Sequence, residues 1–114
     1  MEFSQTIEDD DFIRVTAGAE SDGDSVSGNV DLDIDNNYVL EEYILEMLED
    51  GNKNLILDLC QVPYCDSSGL SALFEIFRSV TEAGGVFKVY NPTADVHRVL
   101  EITKFSKKIE IITE

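Results

Sequence analysis

Two hydrophobic periods alternate along this chain, and their order predicts a series of strands and helices. Clusters of β-branched, aromatic and aliphatic residues are typical of strands, and they occur at residues 12–16, 55–59, 87–90 and, with weaker alternation, 109–113. Apolar residues at steps of three and four predict three helices, at residues 37–50, from Asp66 to Ala83, and from Thr93 to Ile102. Glycines at 51, 84 and 85 are well placed to end the first two.

The segment from Ser25 to Ile34 alternates apolar and polar positions, which predicts a half-buried strand. Its inner side would carry the apolar residues Val26, Val30, Leu32 and Ile34. Its outer side would carry the acidic residues Asp31, Asp33 and Asp35. Gly28 interrupts the pattern and is expected to form a bulge, after a loop at residues 19–25.

Strands and helices that alternate with short connections indicate parallel strands joined by right-handed crossovers. We therefore expect a single α/β domain over residues 1–114, with a mixed, mostly parallel sheet of about four or five strands and about three helices packed on it. Residues 1–11 are expected to be flexible or to form an edge strand. Within them the acidic run Asp9-Asp10-Asp11 is typical of a solvated turn or frayed terminus.

Length and charge narrow the classes of function. A chain of 114 residues, 43% of them hydrophobic, can bury one core without metals or disulfides. Its net charge of −16 disfavours nucleic acids and anionic membranes and favours basic protein surfaces. The chain has no apolar run near the roughly 20 residues of a membrane span, and its acidic N-terminus is unlike a signal peptide. We therefore expect a cytoplasmic protein with no nucleic-acid or membrane partner.

The two cysteines, Cys60 and Cys65, form neither a CxxC pair nor a zinc-ligand set. Cys60 follows an apolar strand, and Cys65 occupies a small apolar position before Asp66. Both are therefore expected to pack in the interior, and no metal site is predicted from them.

The candidate chemistry lies where the strand at residues 55–59 leads through a short loop into Asp66-Ser67-Ser68-Gly69. Asp66 is a good N-cap, because its carboxylate can accept hydrogen bonds from the free N–H groups of the first helical turn. This places Ser67 and Ser68 in that turn. The positive end of the helix dipole favours an added anion, so a phosphoserine could form there without unwinding the helix.

In this order and spacing, the chain resembles the STAS-domain anti-sigma factor antagonists. The matching segments are the strand at residues 55–59, the loop at 62–65, Asp66-Ser67-Ser68-Gly69-Leu70, the helix end at 83–85, the strand at 87–90, and residues 91–103. The family often has glycine where Lys104 stands, which puts the turn after the third helix in question.

The resemblance implies a function and a set of site residues. The serine directly after the aspartate, here Ser67, would be phosphorylated by an anti-sigma factor that is also a serine kinase, and a serine phosphatase would reset it. Ser68 would be a neighbour and not the acceptor. The partner-binding surface would comprise Tyr64, Asp66, Ser67, Ser68, Gly69 and Leu70. The resemblance implies neither enzymatic activity nor a cofactor for this chain.

Four acidic residues fit the ligand spacing of a calcium loop. Asp31, Asp33, Asp35 and Glu42 occupy positions one, three, five and twelve of an EF-hand pattern. Asn36 stands where that loop needs glycine, and Leu32 and Ile34 are unusually apolar for it. An acidic calcium-binding module is therefore an alternative to an edge strand with a solvated acidic face.

Two further alternatives concern the same helix start. Other members of the broad family are scaffold subunits of signalling assemblies or partners of membrane transport systems, and these roles need no phosphorylated serine. A hydrolase would need His97, the one histidine of the sequence, to meet Ser67 in space.

Overall fold

A five-stranded sheet organises the computed structural model, which describes residues 1–8 and 11–113. The strands of the described chain are β1 (Glu2–Ile7), β2 (Ile13–Gly18), β3 (Glu20–Ser21), β4 (Val26–Ser27), β5 (Asn54–Asp58), β6 (Val86–Tyr90) and β7 (Glu110–Ile112). Its helices are α1 (Asn37–Glu49), α2 (Ser67–Glu82) and α3 (Ala94–Ile102), followed by a 3₁₀ helix at Phe105–Lys107.

The main sheet has the strand order β1-β2-β5-β6-β7. Its first pair is antiparallel and the three other neighbouring pairs are parallel. The short strands β3 and β4 pair with each other as a separate antiparallel hairpin. The predicted α/β fold, with its mixed, mostly parallel sheet and three helices, is therefore confirmed.

The helices cover one face of this sheet. Each step from β2 to β5, β6 and β7 moves to the next strand in the same direction, and right-handed crossovers then place every connection on the same side. Leu57 and Val89 are fully buried, whereas Ile56 and Lys88 alternate with them in sequence and keep partial exposure. The strands therefore have a buried face and a partly solvated face.

The N-terminal residues 2–7 form the antiparallel edge strand β1. Phe3 on this strand stacks on Tyr43 of α1, with ring centroids 4.2 Å apart. Asp9 and Asp10, for which the sequence predicts a solvated turn or frayed end, lie outside the described residues. Glu114 lies outside them as well.

The strand predicted from Ser25 to Ile34 is wrong. Only Val26–Ser27 are in a strand, and the chain then turns at Gly28, which has a φ of +79°. Residue 32 makes a single bridge to Cys65, and Ile34, predicted to face inward, is 70% exposed. The reason is turn chemistry: the Asp33 carboxylate accepts a hydrogen bond from the Asp35 N–H at 3.0 Å, which favours a turn over an extended strand.

The helix ends follow the glycines. Gly51 and Gly84, just after α1 and α2, adopt φ values of +94° and +82°, which glycine reaches without strain. Gly85 is needed for a different reason, because a Cβ there would lie 1.9 Å from the Lys53 carbonyl oxygen. Among the described residues, these helices include none with the length and apolarity of a membrane span.

The turn after α3 has left-handed geometry at a lysine. Lys104 has a φ of +64° and a ψ of +14°, and its N–H donates to the Glu101 carbonyl at 3.0 Å. A lysine in this conformation carries a cost that glycine would not. The turn is held by Phe105, which is fully buried.

The cysteines differ in their environments. Cys65 is buried, as predicted, whereas Cys60 is exposed, so interior packing is the wrong prediction for it. Cys60 lies beyond the end of β5, where its N–H donates to the Asp58 carboxylate at 3.0 Å and the chain turns outward.

Candidate functional site

The start of α2 is capped by Asp66. Its backbone is extended, with a φ of −88° and a ψ of −176°, and its Oδ1 accepts a hydrogen bond from the Gly69 N–H at 2.8 Å. This is the N-cap arrangement that the sequence predicts, and it satisfies one of the free N–H groups of the first turn. Ser67 and Ser68 are therefore the first two residues of the helix.

A second loop is fastened beside this helix start. The N–H of Leu32 donates to the Tyr64 carbonyl at 3.0 Å, and the N–H of Asp66 donates to the Leu32 carbonyl at 3.1 Å. The other carboxylate oxygen of Asp66, Oδ2, accepts a hydrogen bond from the Ile34 N–H at 3.2 Å. Because the two segments run parallel, Ile34 lies next to the start of α2.

The residues that follow Asp66 differ in their exposure. Ser67 is exposed, Ser68 and Leu70 are partly buried, and Gly69 is buried. A Cβ on residue 69 would lie 2.4 Å from the Leu32 carbonyl oxygen, so glycine is what allows the helix to approach the second loop. The Ser67 hydroxyl is thus presented to solvent by a helix start that is held on two sides.

The exposed residues around Ser67 are largely apolar. Tyr64, in the loop before the cap, is 54% exposed, and Leu70 lies one turn into the helix. Ile34, on the second loop, is 70% exposed. We call these four residues the Ser67 face: Ile34, Tyr64, Ser67 and Leu70.

Sequence reasoning placed Tyr64, Asp66, Ser67, Ser68, Gly69 and Leu70 at this site, and the structure brings them together as one turn and its flank. Sequence reasoning missed Ile34, whose N–H bonds to Asp66. The one available signal was the run of Asp and Asn residues before α1, which favours a turn over a strand. Large exposed apolar side chains that cluster on a small domain mark an interaction surface.

The electrostatics of the Ser67 face are acidic. Asp31 and Asp35 are exposed on the second loop, and Asp66 lies between that loop and the helix. Of the ion pairs among residues 1–8 and 11–113, none involves these three carboxylates. An added phosphate would therefore join an area that is already negative, and a docking partner should be basic.

The calcium alternative gains no support from this geometry. Asn36 Oδ1 accepts from the Asp33 N–H at 3.0 Å, and Asp33 Oδ1 accepts from the Asp35 N–H, so these groups serve the turn. Glu42 lies exposed on α1. Within the described parts of the chain, no group of three His, Cys, Asp or Glu residues is placed to share a metal ion.

Nucleophilic chemistry is not favoured at this site either. Burial, and then the charge of Asp66, raises the pKa of the Cys65 thiol to about 12. His97 lies on α3, where its Nε2 is 3.6 Å from Glu101. Among the described residues, no hydrogen bond joins His97 to Ser67, and a serine nucleophile needs such a base to activate it.

Comparison with known proteins places this arrangement in a family. The sequence profile of the STAS domain matches residues 25–114 of the chain. A protein from Thermotoga neapolitana, named provisionally as an anti-sigma factor antagonist, is 32% identical over 84 residues, which are 73% of this chain and 74% of that protein.

Solved structures show the same fold. The crystal structure of a Thermotoga maritima protein, also named provisionally as an anti-sigma factor antagonist, has a TM-score of 0.78 and 25% identity, and the match covers 98% of this chain and 86% of that one. The anti-sigma factor antagonist SpoIIAA in its unphosphorylated form has a TM-score of 0.72 at 16% identity, covering 99% and 90%. The phosphorylated form of the Bacillus cell fate determinant SpoIIAA has a TM-score of 0.67 at 15% identity, and the match covers 99% of this chain and 93% of that one.

Proposed function

This chain belongs to the STAS domain family, and we propose that it is an anti-sigma factor antagonist that binds a kinase-type anti-sigma factor until Ser67 is phosphorylated. Its role in this proposal is binding and not catalysis, in the cytoplasm of a bacterium. The observation that carries the proposal is the exposed Ser67 hydroxyl in the first turn of α2, beside the capping carboxylate of Asp66.

In the unphosphorylated state, the apolar members of the Ser67 face supply the contact area. Tyr64 lies in the loop before the cap, Ile34 lies in the loop that Asp66 holds, and each is more than half exposed in the free protein. Burial of such side chains in an interface is favourable by about 25 cal/mol per Å² before the costs of association. The acidic surroundings favour a basic docking surface on the anti-sigma factor.

Phosphorylation changes the charge of this surface and not its shape. A phosphate on Ser67 adds about −1.5 to −2 charges next to Asp66, in an area that the partner would have to desolvate. Repulsion and desolvation together should penalise binding by a few kcal/mol, on the order of a hundredfold or more in affinity. The N-terminus of α2 tolerates the phosphate, so the fold should persist.

A serine phosphatase would return the protein to its binding state. Ser67 is exposed in the described structure, so both a kinase and a phosphatase can reach its hydroxyl without unfolding α2. Ser68 is partly buried one residue later, which makes it the poorer acceptor. This difference supports the assignment of Ser67.

The experiment is incubation with the candidate anti-sigma factor kinase and ATP, followed by mass spectrometry of the modified residue. We expect one phosphate on Ser67. The variant Ser67→Ala should bind the partner and accept no phosphate, Ser67→Asp should bind more weakly, and Ser68→Ala is the matched control that should behave as the parent. Phosphate on another residue, or equal affinity of Ser67→Asp and the parent, would refute the switch.

A further inference from the structure

The outer face of α1 carries two large apolar side chains that the core does not cover. Tyr38 and Leu45 are 57% and 40% exposed, and their separation by seven residues places both on one side of the helix. The buried residues of α1 lie on its opposite side and are Leu40, Ile44 and Met47. This outer face is therefore open to a partner.

Carboxylates surround the two apolar side chains. Glu41, Glu42 and Glu49 each lie three or four residues from Tyr38 or Leu45, on the same side of the helix. The sequence of α1 contains no Lys or Arg, and the ion pairs among residues 1–8 and 11–113 include none of its carboxylates. We call these five residues the α1 strip: Tyr38, Glu41, Glu42, Leu45 and Glu49.

Neither the neighbouring helix nor the dipole of α1 balances this negative charge. The one cation of α2, Arg78, is already paired with Glu75 and Glu82. The last turn of α1 contains no basic residue, although Glu46 and Glu49 lie near the negative end of its dipole. The carboxylates therefore work against the helix in the free protein, and cations from a partner would relieve their repulsion.

A cleft between α1 and α2 adds an apolar seat beside the strip. It has a volume of about 60 Å³, and it is lined by Leu45, Ile76, Glu41, Glu75 and Ser79. Ile76 is buried, so the core holds the floor of the cleft in place. No Lys or Arg lines the cleft. An aliphatic stem that ends in a cation, as in lysine or arginine, complements an apolar floor with carboxylates beside it.

We propose that the α1 strip binds a basic amphipathic helix of another protein. Apolar side chains seven residues apart on that helix would pack on Tyr38 and Leu45. Its lysines or arginines would meet Glu42 and Glu49, and one of them would enter the cleft beside Glu41. The apolar contact provides affinity and the carboxylates select the sign of charge, because an acidic helix would gain the same contact against repulsion.

The α1 strip shares no residue with the Ser67 face, so this proposal does not rest on the phosphorylation switch. Solubility alone would account for the carboxylates, but it would not account for the two exposed apolar side chains among them. A chain that binds a basic helix at α1 and accepts no phosphate on Ser67 would refute only the switch. The reverse result would refute only the α1 strip.

The experiment uses the ¹⁵N-labelled full chain and two synthetic helical peptides of equal length. Both present leucines seven residues apart, which are flanked by lysines in one peptide and by glutamates in the other. We expect the basic peptide to shift the amide signals of Tyr38 and Leu45, with a Kd on the order of 100 μM at low salt. The acidic peptide should leave these signals in place.

A matched pair of tyrosine variants locates the apolar contact. Tyr38→Ala should weaken basic-peptide binding about fivefold or more. Tyr64→Ala removes a tyrosine of similar exposure, 54%, from the Ser67 face and should leave the Kd unchanged. A larger loss for Tyr64→Ala would place the peptide on the Ser67 face and overturn the proposal.

A charge-matched pair separates the strip from the net charge of the chain. Glu41→Gln with Glu42→Gln should weaken basic-peptide binding about fivefold or more, whereas Glu20→Gln with Asp24→Asn, at the exposed β3–β4 hairpin, should weaken it by less than about twofold. Equal effects of the two pairs, equal shifts from both peptides, or no shift from either would overturn the proposal. Self-association in light scattering that Tyr38→Ala removes would assign the strip to a second copy and overturn it as well.

Discussion

The carboxylate of Asp66 joins the start of α2 to the backbone of Ile34. Its Oδ1 accepts from the Gly69 N–H at 2.8 Å, and its Oδ2 accepts from the Ile34 N–H at 3.2 Å. One side chain therefore both caps the helix that presents Ser67 and fixes the loop that presents Ile34. The shape of the Ser67 face depends on this bridge.

Removing the bridge should destabilise the protein. Asp66→Ala loses both hydrogen bonds, and an N-cap together with a second charge-assisted bond is worth about 2 kcal/mol. Asp66→Asn keeps one acceptor oxygen and should lose about half as much. Urea unfolding monitored by circular dichroism gives both values. Asp35→Ala is the control, because its exposed side chain is outside the bridge, and a loss as large as that of Asp66→Ala would contradict this account.

Gly69 tests the close approach of the two segments. In Gly69→Ala the new Cβ would lie 2.4 Å from the Leu32 carbonyl oxygen, so helix and loop must separate. Overpacking of this kind costs about 1–3 kcal/mol. Gly23→Ala is the comparison: its φ of +104° disfavours alanine, yet the site is open, so its cost should be close to 1 kcal/mol. A smaller loss for Gly69→Ala than for Gly23→Ala in thermal unfolding would argue against the contact.

The ends of α2 could be predicted from sequence because their signals are local. Asp66 is three residues before the N–H that it caps, and Gly84 adopts its left-handed φ just after the last turn. The position of Ile34 could not be predicted in this way, since it depends on a hydrogen bond to a residue 32 positions away. Alternation alone assigned Ile34 to the interior.

The segment before α1 shows why alternation was misleading. A period of two fits a strand, but the same residues also fit a turn in which aspartate and asparagine side chains accept hydrogen bonds from nearby backbone N–H groups. Asp33 and Asn36 do so here, at 3.0 Å each. The edge of the sheet beside β2 is occupied by β1. The sequence of β1 is largely polar, unlike that of a typical apolar strand.

Lys104 offers a stabilising substitution. Its φ of +64° is unfavourable for a side chain with a Cβ, so Lys104→Gly should relieve strain at this turn. The greater entropy of glycine in the unfolded chain offsets part of this gain, which leaves about 0.5–1 kcal/mol. Lys108→Gly, at a φ of −100°, removes the same charge without relief and should not stabilise. Differential scanning calorimetry of both variants decides the matter, and a lower Tm for Lys104→Gly would disprove the strain.

Cys60 should react slowly although it is exposed. Partial burial, followed by the hydrogen bond and the charge of Asp58, raises the pKa of its thiol to about 11. Only the thiolate is alkylated, so at pH 8 the rate should be on the order of 100-fold below that of a free cysteine and should rise with pH until about pH 11. Peptide mapping after iodoacetamide treatment distinguishes alkylation of Cys60 from alkylation of buried Cys65. Asp58→Asn should speed the reaction, and a rate typical of an unperturbed thiol in the parent would contradict the assignment.

Ile34 should be a binding determinant that has little effect on stability. Its side chain is 70% exposed beside the start of α2, so Ile34→Asp removes an apolar contact and adds a charge where the proposed partner docks. We expect at least a tenfold loss of affinity for the anti-sigma factor, about 1.4 kcal/mol, with unfolding changed by under about 0.5 kcal/mol. Ile7→Asp is the matched control: Ile7 is 84% exposed at the end of β1. Calorimetric titration of both variants separates the outcomes, because equal affinities would show that the Ser67 face does not extend to the loop that Asp66 holds in place.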